Sequence, residues 1–290
     1  MVGMEGIGMF FTPPMLPEPC SEPFDDERYW FEPKLNGRRL LLSFFEQKTT
    51  LYNRFEQDVT RQYPELCRVP LHVPADVVLD GEVVYWNADT GRTEPETVAD
   101  RFRLTKDTRI RDAMKQFPVT YVVFDILYYD GVDTRQWPLC WRKALLWSIL
   151  EPNGRFRHIP MQDTFGVQAH REAGLFSGII AKRKDSLYVS GHNNGWQVID
   201  HYKYEQVVIS GFRKNQLGWR ISQNGKWIGL IEHPIAQENW LQLHEAAQSR
   251  VAGEDRNYYY LEPGLEVCIR FRNWTRDGLP HRPEFVAFTG

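Results

Sequence analysis

Short apolar runs separated by polar turns extend along most of the chain, and this pattern predicts many β-strands. Residues 119–129 form the most hydrophobic segment and predict a central strand. Residues 77–86 predict a second strand, in which Gly81 lies between Asp80 and Glu82. A glycine inside a strand often marks a bulge or a close backbone approach. Together with a few helical segments, these strands predict an α+β fold.

Helical patterns occur at three places in the first two-thirds of the chain. Residues 60–66 predict a short helical turn, and residues 105–115 predict a basic helix. Residues 138–150 predict an amphipathic helix whose tryptophans are most simply placed in the core. The positions of that helix expected to face inward are Leu139, Leu145, Leu146 and Leu150.

The pattern changes to short strands and tight turns beyond Lys203. Asn224-Gly225 is a type I′ hairpin signal between two of these strands. The predicted strands are 206–212, 219–223, 226–232, 265–273 and 284–288, with one helix at 235–248. About five strands with a single helix fit a small Greek-key barrel of the oligonucleotide-binding (OB) type. We therefore predict two domains, residues 1–203 and 204–290.

Composition favours a globular, intracellular protein. At 290 residues and 42% hydrophobic, the chain can bury a sizeable core. Its four cysteines are far apart, which argues against a zinc site or a disulfide framework. Residues 1–11 lack a basic start and a long apolar run, so they predict neither a signal peptide nor a membrane span. We expect a cytoplasmic protein with an extended, proline-rich segment at residues 1–26 lying over the surface.

The net charge of -3 gives no global reason to expect nucleic acid as a partner. A prediction of a nucleic-acid partner therefore rests on local clusters of basic residues. They are residues 101–115, residues 182–184, and Arg270, Arg272 and Arg276 interleaved with aromatic residues. Each cluster alone is also typical of an ordinary solvated face.

Residues 32–39 predict a strand, a turn at Gly37 and a second strand. Lys34 and Arg39 would then project towards the same space. A lysine attacks only as the neutral amine, which a neighbouring cation and partial burial favour. On the spacing alone, the alternative of a surface hairpin with solvated side chains is favoured. Asp125, within the central strand, is open to two interpretations, a structural hydrogen bond or a ligand role.

Five motifs, in this order and spacing, resemble the motif series of ATP-dependent DNA ligases. They are Lys34-Leu-Asn-Gly-Arg-Arg39, Asp80-Gly-Glu82, Phe124-Asp-Ile-Leu-Tyr-Tyr-Asp-Gly131, Gly178-Ile-Ile-Ala-Lys-Arg-Lys-Asp-Ser186 and Trp196. The resemblance covers nearly the whole chain, and residues 273–283 look like the tail of small bacterial and phage ligases.

This resemblance implies a nucleotidyltransferase domain of antiparallel sheets with flanking helices, followed by an OB-fold barrel. It implies that Lys34 takes AMP from ATP, that AMP passes to the 5′-phosphate of a nick in double-stranded DNA, and that the 3′-hydroxyl displaces it. A Mg²⁺ or Mn²⁺ ion, a monomeric protein, and roles in DNA repair, replication and recombination are implied as well.

The resemblance also assigns roles to single residues. Glu32 would contact the adenine, Phe124 would stack on it, and Arg39 and Lys182 would approach the nucleotide. Glu82 would contact the metal or the ribose. The residues expected to hold DNA phosphates are Arg54, Arg101, Arg103, Lys106 and Arg282.

Four positions depart from the family pattern. Asn36 replaces an acidic residue, and Ser177 replaces a glutamate that helps to hold metal. Val198 and Asp200 replace paired lysines that would neutralise the α-phosphate. The sequence therefore predicts a working ligase with a weakened or rearranged step. The alternatives are a degenerate ligase-fold protein that binds nicked or end-bearing DNA without sealing it, and an RNA ligase or capping-type nucleotidyltransferase.

Overall fold

The structure is a computed structural model that describes residues 11–89 and 91–289. Expectations for residues 1–10 lie outside this part of the chain. The chain divides into two units, one ending at His201 and the other beginning at Tyr202. This division falls two residues before the end of the first predicted domain.

The first unit contains thirteen strands among the described residues. They are β1 (Met15–Pro19), β2 (Tyr29–Pro33), β3 (Arg38–Phe45), β4 (Lys48–Asn53), β5 (Val77–Val84), β6 (Trp86–Asn87), β7 (Arg92–Thr93), β8 (Thr120–Tyr129), β9 (Val132–Asp133), β10 (Phe156–His158), β11 (Gln162–Asp163), β12 (Gly178–Arg183) and β13 (Gly191–Asp200). Its helices are α1 (Pro95–Phe102), α2 (Asp107–Gln116), α3 (Leu139–Ile149) and α4 (Gly166–Glu172).

One sheet of this unit has the order β10-β8-β5-β3-β4, with β9 attached to β8. Strand β8 is buried along most of its length, as its hydrophobic run predicts. The register of β5 shifts between Asp80 and Gly81. A Cβ atom at Gly81 would lie 2.7 Å from the Tyr121 ring and from the carbonyl oxygen of Val122. The predicted bulge and close approach are both confirmed.

A second sheet has the order β1-β13-β12-β2-β11. Strands β2, β12 and β13 are antiparallel neighbours, whereas β1 pairs with β13 in parallel. One prediction is wrong here, since Met15 is fully buried although its segment was expected to lie over the surface. The polar residues 191–195 form the start of β13. Pairing with β1 supplies hydrogen bonds that the polar sequence of 191–195 does not reveal.

Helix α3 corrects the prediction for its tryptophans. The Trp141 and Trp147 side chains are 64% and 42% exposed, while Arg142 and Lys143 are only 0% and 1% exposed. The inward face is therefore partly ionic, because buried carboxylates of the sheets lie opposite it. The predicted helical turn at 60–66 is present as two short 3-10 turns, and α2 begins two residues later than predicted.

The second unit is formed by β14 (Lys203–Arg213), β15 (Trp219–Gln223), β16 (Lys226–Ile231), α5 (Gln237–Gln248), β17 (Val251–Glu254), β18 (Tyr258–Leu261), β19 (Glu266–Phe271) and β20 (Glu284–Phe288). Strand β14 pairs with β19 through its first half, and with β15 and β18 through its second half. The sheet therefore wraps around one core, into which α5 inserts Leu243 and Ala247.

This arrangement matches the predicted OB-type barrel. Asn224 and Gly225 both have positive φ angles, 51° and 74°, which confirms the type I′ turn. Strands β17 and β18 were not predicted. Within the described part of the chain, no helix is long and apolar enough to cross a membrane.

Candidate active site

Lys34 directly follows β2, and Arg39 lies at the start of β3. The two strands belong to different sheets, so the predicted surface hairpin is not formed. Gly37 lies against β5, where a Cβ atom would be only 2.2 Å from the carbonyl oxygen of Val83. Glycine is therefore required here for close backbone approach, and the turn carries the chain from one sheet to the other.

The Lys34 side chain lies beside an acidic residue that the family pattern does not contain. Its Nζ atom contacts the Asp200 carboxylate directly, and both side chains are mostly buried, at 26% and 12% exposure. The backbone of Lys34 is fixed to β12, because its N–H donates to the carbonyl of Gly178 at 2.9 Å. Ser177 lies at the same point, with its Oγ 3.4 Å from the Lys34 carbonyl oxygen.

An inner cluster of charge lies behind this lysine. The Glu32 carboxylate is held by Lys143 Nζ at 2.5 Å and Lys182 Nζ at 2.7 Å, and all three side chains are at most 2% exposed. Lys143 also donates to the carbonyl of Phe124 at 3.0 Å. Burial lowers the pKa of Lys182 to about 8, although Glu32 favours its charged form. The predicted contact of Glu32 with adenine stays a prediction.

Two aromatic rings complete the inner cluster. Phe124 and Trp196 meet edge to face with centroids 6.2 Å apart. Lys182 Nζ lies 4.1 Å from the first centroid and 3.9 Å from the second. The Trp196 indole Nε1 is buried without a hydrogen-bond partner among the described residues. Aromatic rings beside a buried cation and an unused donor are groups that suit an aromatic, anionic ligand.

Arg39 connects the inner cluster to the rest of the site. Its guanidinium pairs with Asp80 through Nε and Nη2, and Nη1 donates to the Met15 carbonyl at 2.6 Å. Its Cζ lies 5.2 Å from the Phe124 centroid. Burial opposes the charge of Arg39, yet the Asp80 carboxylate raises its pKa. The Tyr188 hydroxyl donates to Asp80 at 2.6 Å and holds this carboxylate in place.

Glu82 is the second carboxyl group of the Asp80-Gly-Glu82 motif. Burial raises its pKa to about 7, while the Gly37 N–H, Arg39 and Lys34 favour the charged form. Its Oε1 accepts the Gly37 N–H at 2.7 Å. The predicted metal contact rests on this carboxyl group. Among the described residues, no group of three or more His, Cys, Asp or Glu side chains could hold an ion.

Asp125 has a structural role in this arrangement. Arg142 Nε and Nη2 donate to its two oxygens at 2.8 and 2.9 Å, and both side chains are fully buried. Arg142 also donates to the Ser186 carbonyl at 3.0 Å. Of the two interpretations of Asp125, the paired structural one is supported.

The predicted DNA contacts separate into two groups. Arg101 is 2% exposed and pairs with Glu65, so the prediction that it binds DNA is wrong: its guanidinium is used inside the fold. Arg54, Arg103, Lys106 and Arg282 are exposed. Arg38 lies near two of them; burial, together with Arg103 and Arg54, lowers its pKa. Arg38 therefore lies within electrostatic range of two other cations, and such clustering favours an anionic partner.

Sequence reasoning missed Lys143, Arg142 and Tyr188. On α3 the two basic residues look like the polar face of an amphipathic helix. The available signal was the presence of two acidic residues, Glu32 and Asp125, in apolar strands that needed buried cationic partners. Tyr188 has no motif of its own, and its place in the site follows only from tertiary contacts such as the hydrogen bond to Asp80.

The site thus combines a lysine at the junction of two sheets with arginine, aromatic and buried lysine neighbours, as the resemblance to nucleotidyltransferases predicts. The model of the ATP dependent DNA ligase domain matches residues 14–199. The SPbeta prophage-derived DNA ligase-like protein LigB of Bacillus subtilis (strain 168) is 31% identical over 291 residues, covering 96% of this chain and 99% of the relative. The chain belongs to the ATP-dependent DNA ligase family.

Other relatives share part of their length with this chain. The DNA ligase of Saccharolobus solfataricus is 29% identical over 65% of this chain, but the match spans only 34% of that enzyme. Two solved structures agree in fold. The ligase domain of M. tuberculosis LigD has a TM-score of 0.56 at 23% identity, covering 95% of this chain and 94% of that one. A Lig E DNA ligase has a TM-score of 0.62 at 15% identity, covering 94% and 99%.

Proposed function

We propose that this protein seals nicks in double-stranded DNA with ATP, and that Lys34 carries AMP between the two substrates. One observation carries the proposal: Lys34 lies in a connected network with the inner cluster. Lys34 and Arg39 both favour the charged form of Glu82. Arg39 in turn lies over the Phe124 ring, beside Lys182. A nucleotide bound against the aromatic rings would direct its phosphates towards Lys34.

The chemistry assigned to Lys34 is phosphoryl transfer. The neutral amine attacks the α-phosphorus, an N–P bond forms, and the bond to pyrophosphate breaks. AMP then moves to the 5′-phosphate of the nick, and the 3′-hydroxyl displaces it. Such reactions depend mainly on positioning and on cations around the phosphates. Arg39 and Lys182 supply cations from this chain, while Phe124 holds the base by stacking.

A divalent cation fits the site as an ion that arrives with the nucleotide. Mg²⁺ usually keeps several waters and uses one or two carboxylates together with substrate phosphates. Glu82 is the carboxyl group available for this contact, since Ser177 cannot supply one. Its pKa of about 7 would leave it partly protonated near neutral pH unless a cation favours the charged form. The ion would neutralise phosphate charge.

We propose the first unit as the adenylation domain and the second as an OB-fold domain that helps to hold DNA, with a single chain as the working unit. Arg54, Arg103, Lys106 and Arg282 would bind phosphates without reading sequence. Binding should therefore weaken steeply as salt increases. A flat dependence of log affinity on log salt would contradict phosphate-directed binding.

Covalent labelling tests the central step. Purified protein with labelled ATP and magnesium should acquire AMP, and Lys34→Ala should abolish the label. Lys48→Ala, at an exposed lysine outside the site, is the matched control and should label normally. Nicked duplex should then be sealed by the wild type and by the control, and not by Lys34→Ala. GTP and nicked RNA tested in parallel distinguish the capping and RNA-ligase alternatives.

A second candidate function is supported by the contact between Asp200 and Lys34. A carboxylate on the nucleophile favours its unreactive, charged form. A degenerate ligase-fold protein that binds nicked or end-bearing DNA without sealing it would keep such a contact. Intact binding to nicked duplex, together with no AMP label under any metal, would establish this candidate and exclude the first.

A further inference from the structure

Asp200 reaches the nucleophile across an intervening strand. It lies opposite Gly178 in the pairing of β12 with β13, and Gly178 in turn accepts the backbone N–H of Lys34. Gly178 has a φ angle of 137°, and a Cβ atom there would lie 2.1 Å from the Ile199 carbonyl oxygen and 2.8 Å from the Asp200 Cα. Glycine at this position therefore lets the backbone of β13 approach β12 closely at Asp200, whose side chain contacts Lys34.

The other charged groups around Lys34 come from separate elements. Glu82 on β5 faces both Lys34 and Arg39, and the Arg39 charge is already matched by Asp80. Ser177, at the start of β12, is neutral. His170 of α4 lies 3.5 Å from the backbone carbonyl oxygen of Asp200 and 3.1 Å from the ring of His201. Asp200 is the acidic side chain shown in direct contact with the Lys34 ammonium.

We propose that Asp200 holds Lys34 in the ammonium form and thereby sets the pH range in which the protein takes up AMP. The inference rests on the proposed role of Lys34 as nucleophile. Before attack, the ammonium must release one proton to water; the N–P bond then forms as the bond to pyrophosphate breaks, and the second proton leaves the nitrogen. A close opposite charge typically shifts a titration by about 1–3 pH units. Adenylation should therefore be suppressed at neutral pH and recover in alkaline solution.

The test measures the titration of Lys34 without requiring catalysis. The whole protein is treated with a trace of acetic anhydride at a series of pH values, and acetylation of Lys34 is measured by mass spectrometry. Asp200→Asn should move the midpoint down by about 1–3 pH units, which makes the neutral amine about 10- to 1000-fold more abundant near pH 7. Asp200→Ser is the second variant should the first not fold.

Asp163→Asn is the matched control, because Asp163 pairs with Lys184 at 2.5 Å in the same unit. It should leave the midpoint of Lys34 unchanged. The same midpoint in the wild type and in both Asp200 variants would overturn the inference.

The pH profile of AMP labelling is the second readout. The profile should move to lower pH in Asp200→Asn. Asp200→Lys should take up more AMP at neutral pH than Asp200→Asn, because it also places a cation near the phosphates. If no variant takes up AMP while the acetylation midpoint still moves, the proposed function fails but the control of Lys34 by Asp200 stands. Unchanged AMP profiles in a protein that labels would overturn the inference.

Discussion

The two ends of the candidate site differ in burial and in how closely they follow the family pattern. At the inner cluster, Glu32, Lys143 and Lys182 are nearly inaccessible to solvent. At the lysine end, formed by Lys34, Ser177 and Asp200, the Lys34 side chain is 26% exposed. The family residues are retained in the first region, and two of the four departures, Ser177 and Asp200, lie in the second.

Solvent screening makes the two regions differ in how well they tolerate a change of charge. Two unit charges 4 Å apart interact by about 4 kcal/mol at the effective dielectric of a protein surface and by about 1 kcal/mol in water. A change of charge in the inner cluster would leave an ion buried without a partner, which destabilises the fold strongly. At the more exposed lysine end, we expect a reversed charge to change reactivity with little effect on folding. The site can therefore lose catalytic residues while the surrounding fold is preserved.

The largest expected effect is on stability in the inner cluster. Glu32→Gln leaves Lys143 and Lys182 buried beside each other without their shared carboxylate, and we expect a loss of about 3–5 kcal/mol in the free energy of unfolding. Lys34→Ala should cost about 1 kcal/mol or less, since its ion pair is partly solvated. Urea unfolding of both variants measures the difference. Equal losses would contradict the contrast between the two regions.

A pH-dependent effect is expected at Glu82, between the two regions. Its pKa is raised from 4.5 to about 7, so the folded protein keeps a proton that the unfolded chain releases in this range. The contribution of Glu82 to the free energy of unfolding is therefore lost as pH rises from about 4.5 to 7. Glu82→Gln does not titrate, so its free energy of unfolding should rise by about 3 kcal/mol relative to that of the wild type between pH 4.5 and pH 8.

Urea unfolding at several pH values measures that gain. Glu151→Gln, at an exposed glutamate, is the control and should follow the wild type at each pH. A constant difference between Glu82→Gln and wild type would show that Glu82 titrates normally.

The smallest effect is expected on nucleotide affinity. Phe124→Ala removes one face of the proposed base site, and stacking on a base contributes about 1–3 kcal/mol. ATP affinity measured by calorimetry should therefore fall about 5- to 150-fold. Trp141→Ala, which removes a 64% exposed aromatic side chain from α3, should bind ATP as the wild type does. An equal effect of both variants would mean that the base does not bind at Phe124.

The sequence was most informative where one local rule dominates. Strand β8 follows from its hydrophobic run, the turn at Asn224-Gly225 from the φ preference of those residues, and the bulge at Gly81 from a glycine inside a strand. It was least informative for β1 and the start of β13, which have polar or proline-rich sequences and gain their structure by pairing with each other.

By itself, the sequence determined the family and several of the long strands and helices, and it singled out Lys34 as the candidate nucleophile, because these depend on motifs and on local periodicity. Only the tertiary structure decided which charges meet. It placed Arg101 and Arg142 inside the fold, it brought Lys143 to Glu32, and it put Asp200 on Lys34. Ion pairs between distant segments depend on strand register and on which residues are small enough for two backbones to approach closely, as Gly178 is where β12 meets β13. Neither is visible in the pattern of any single segment.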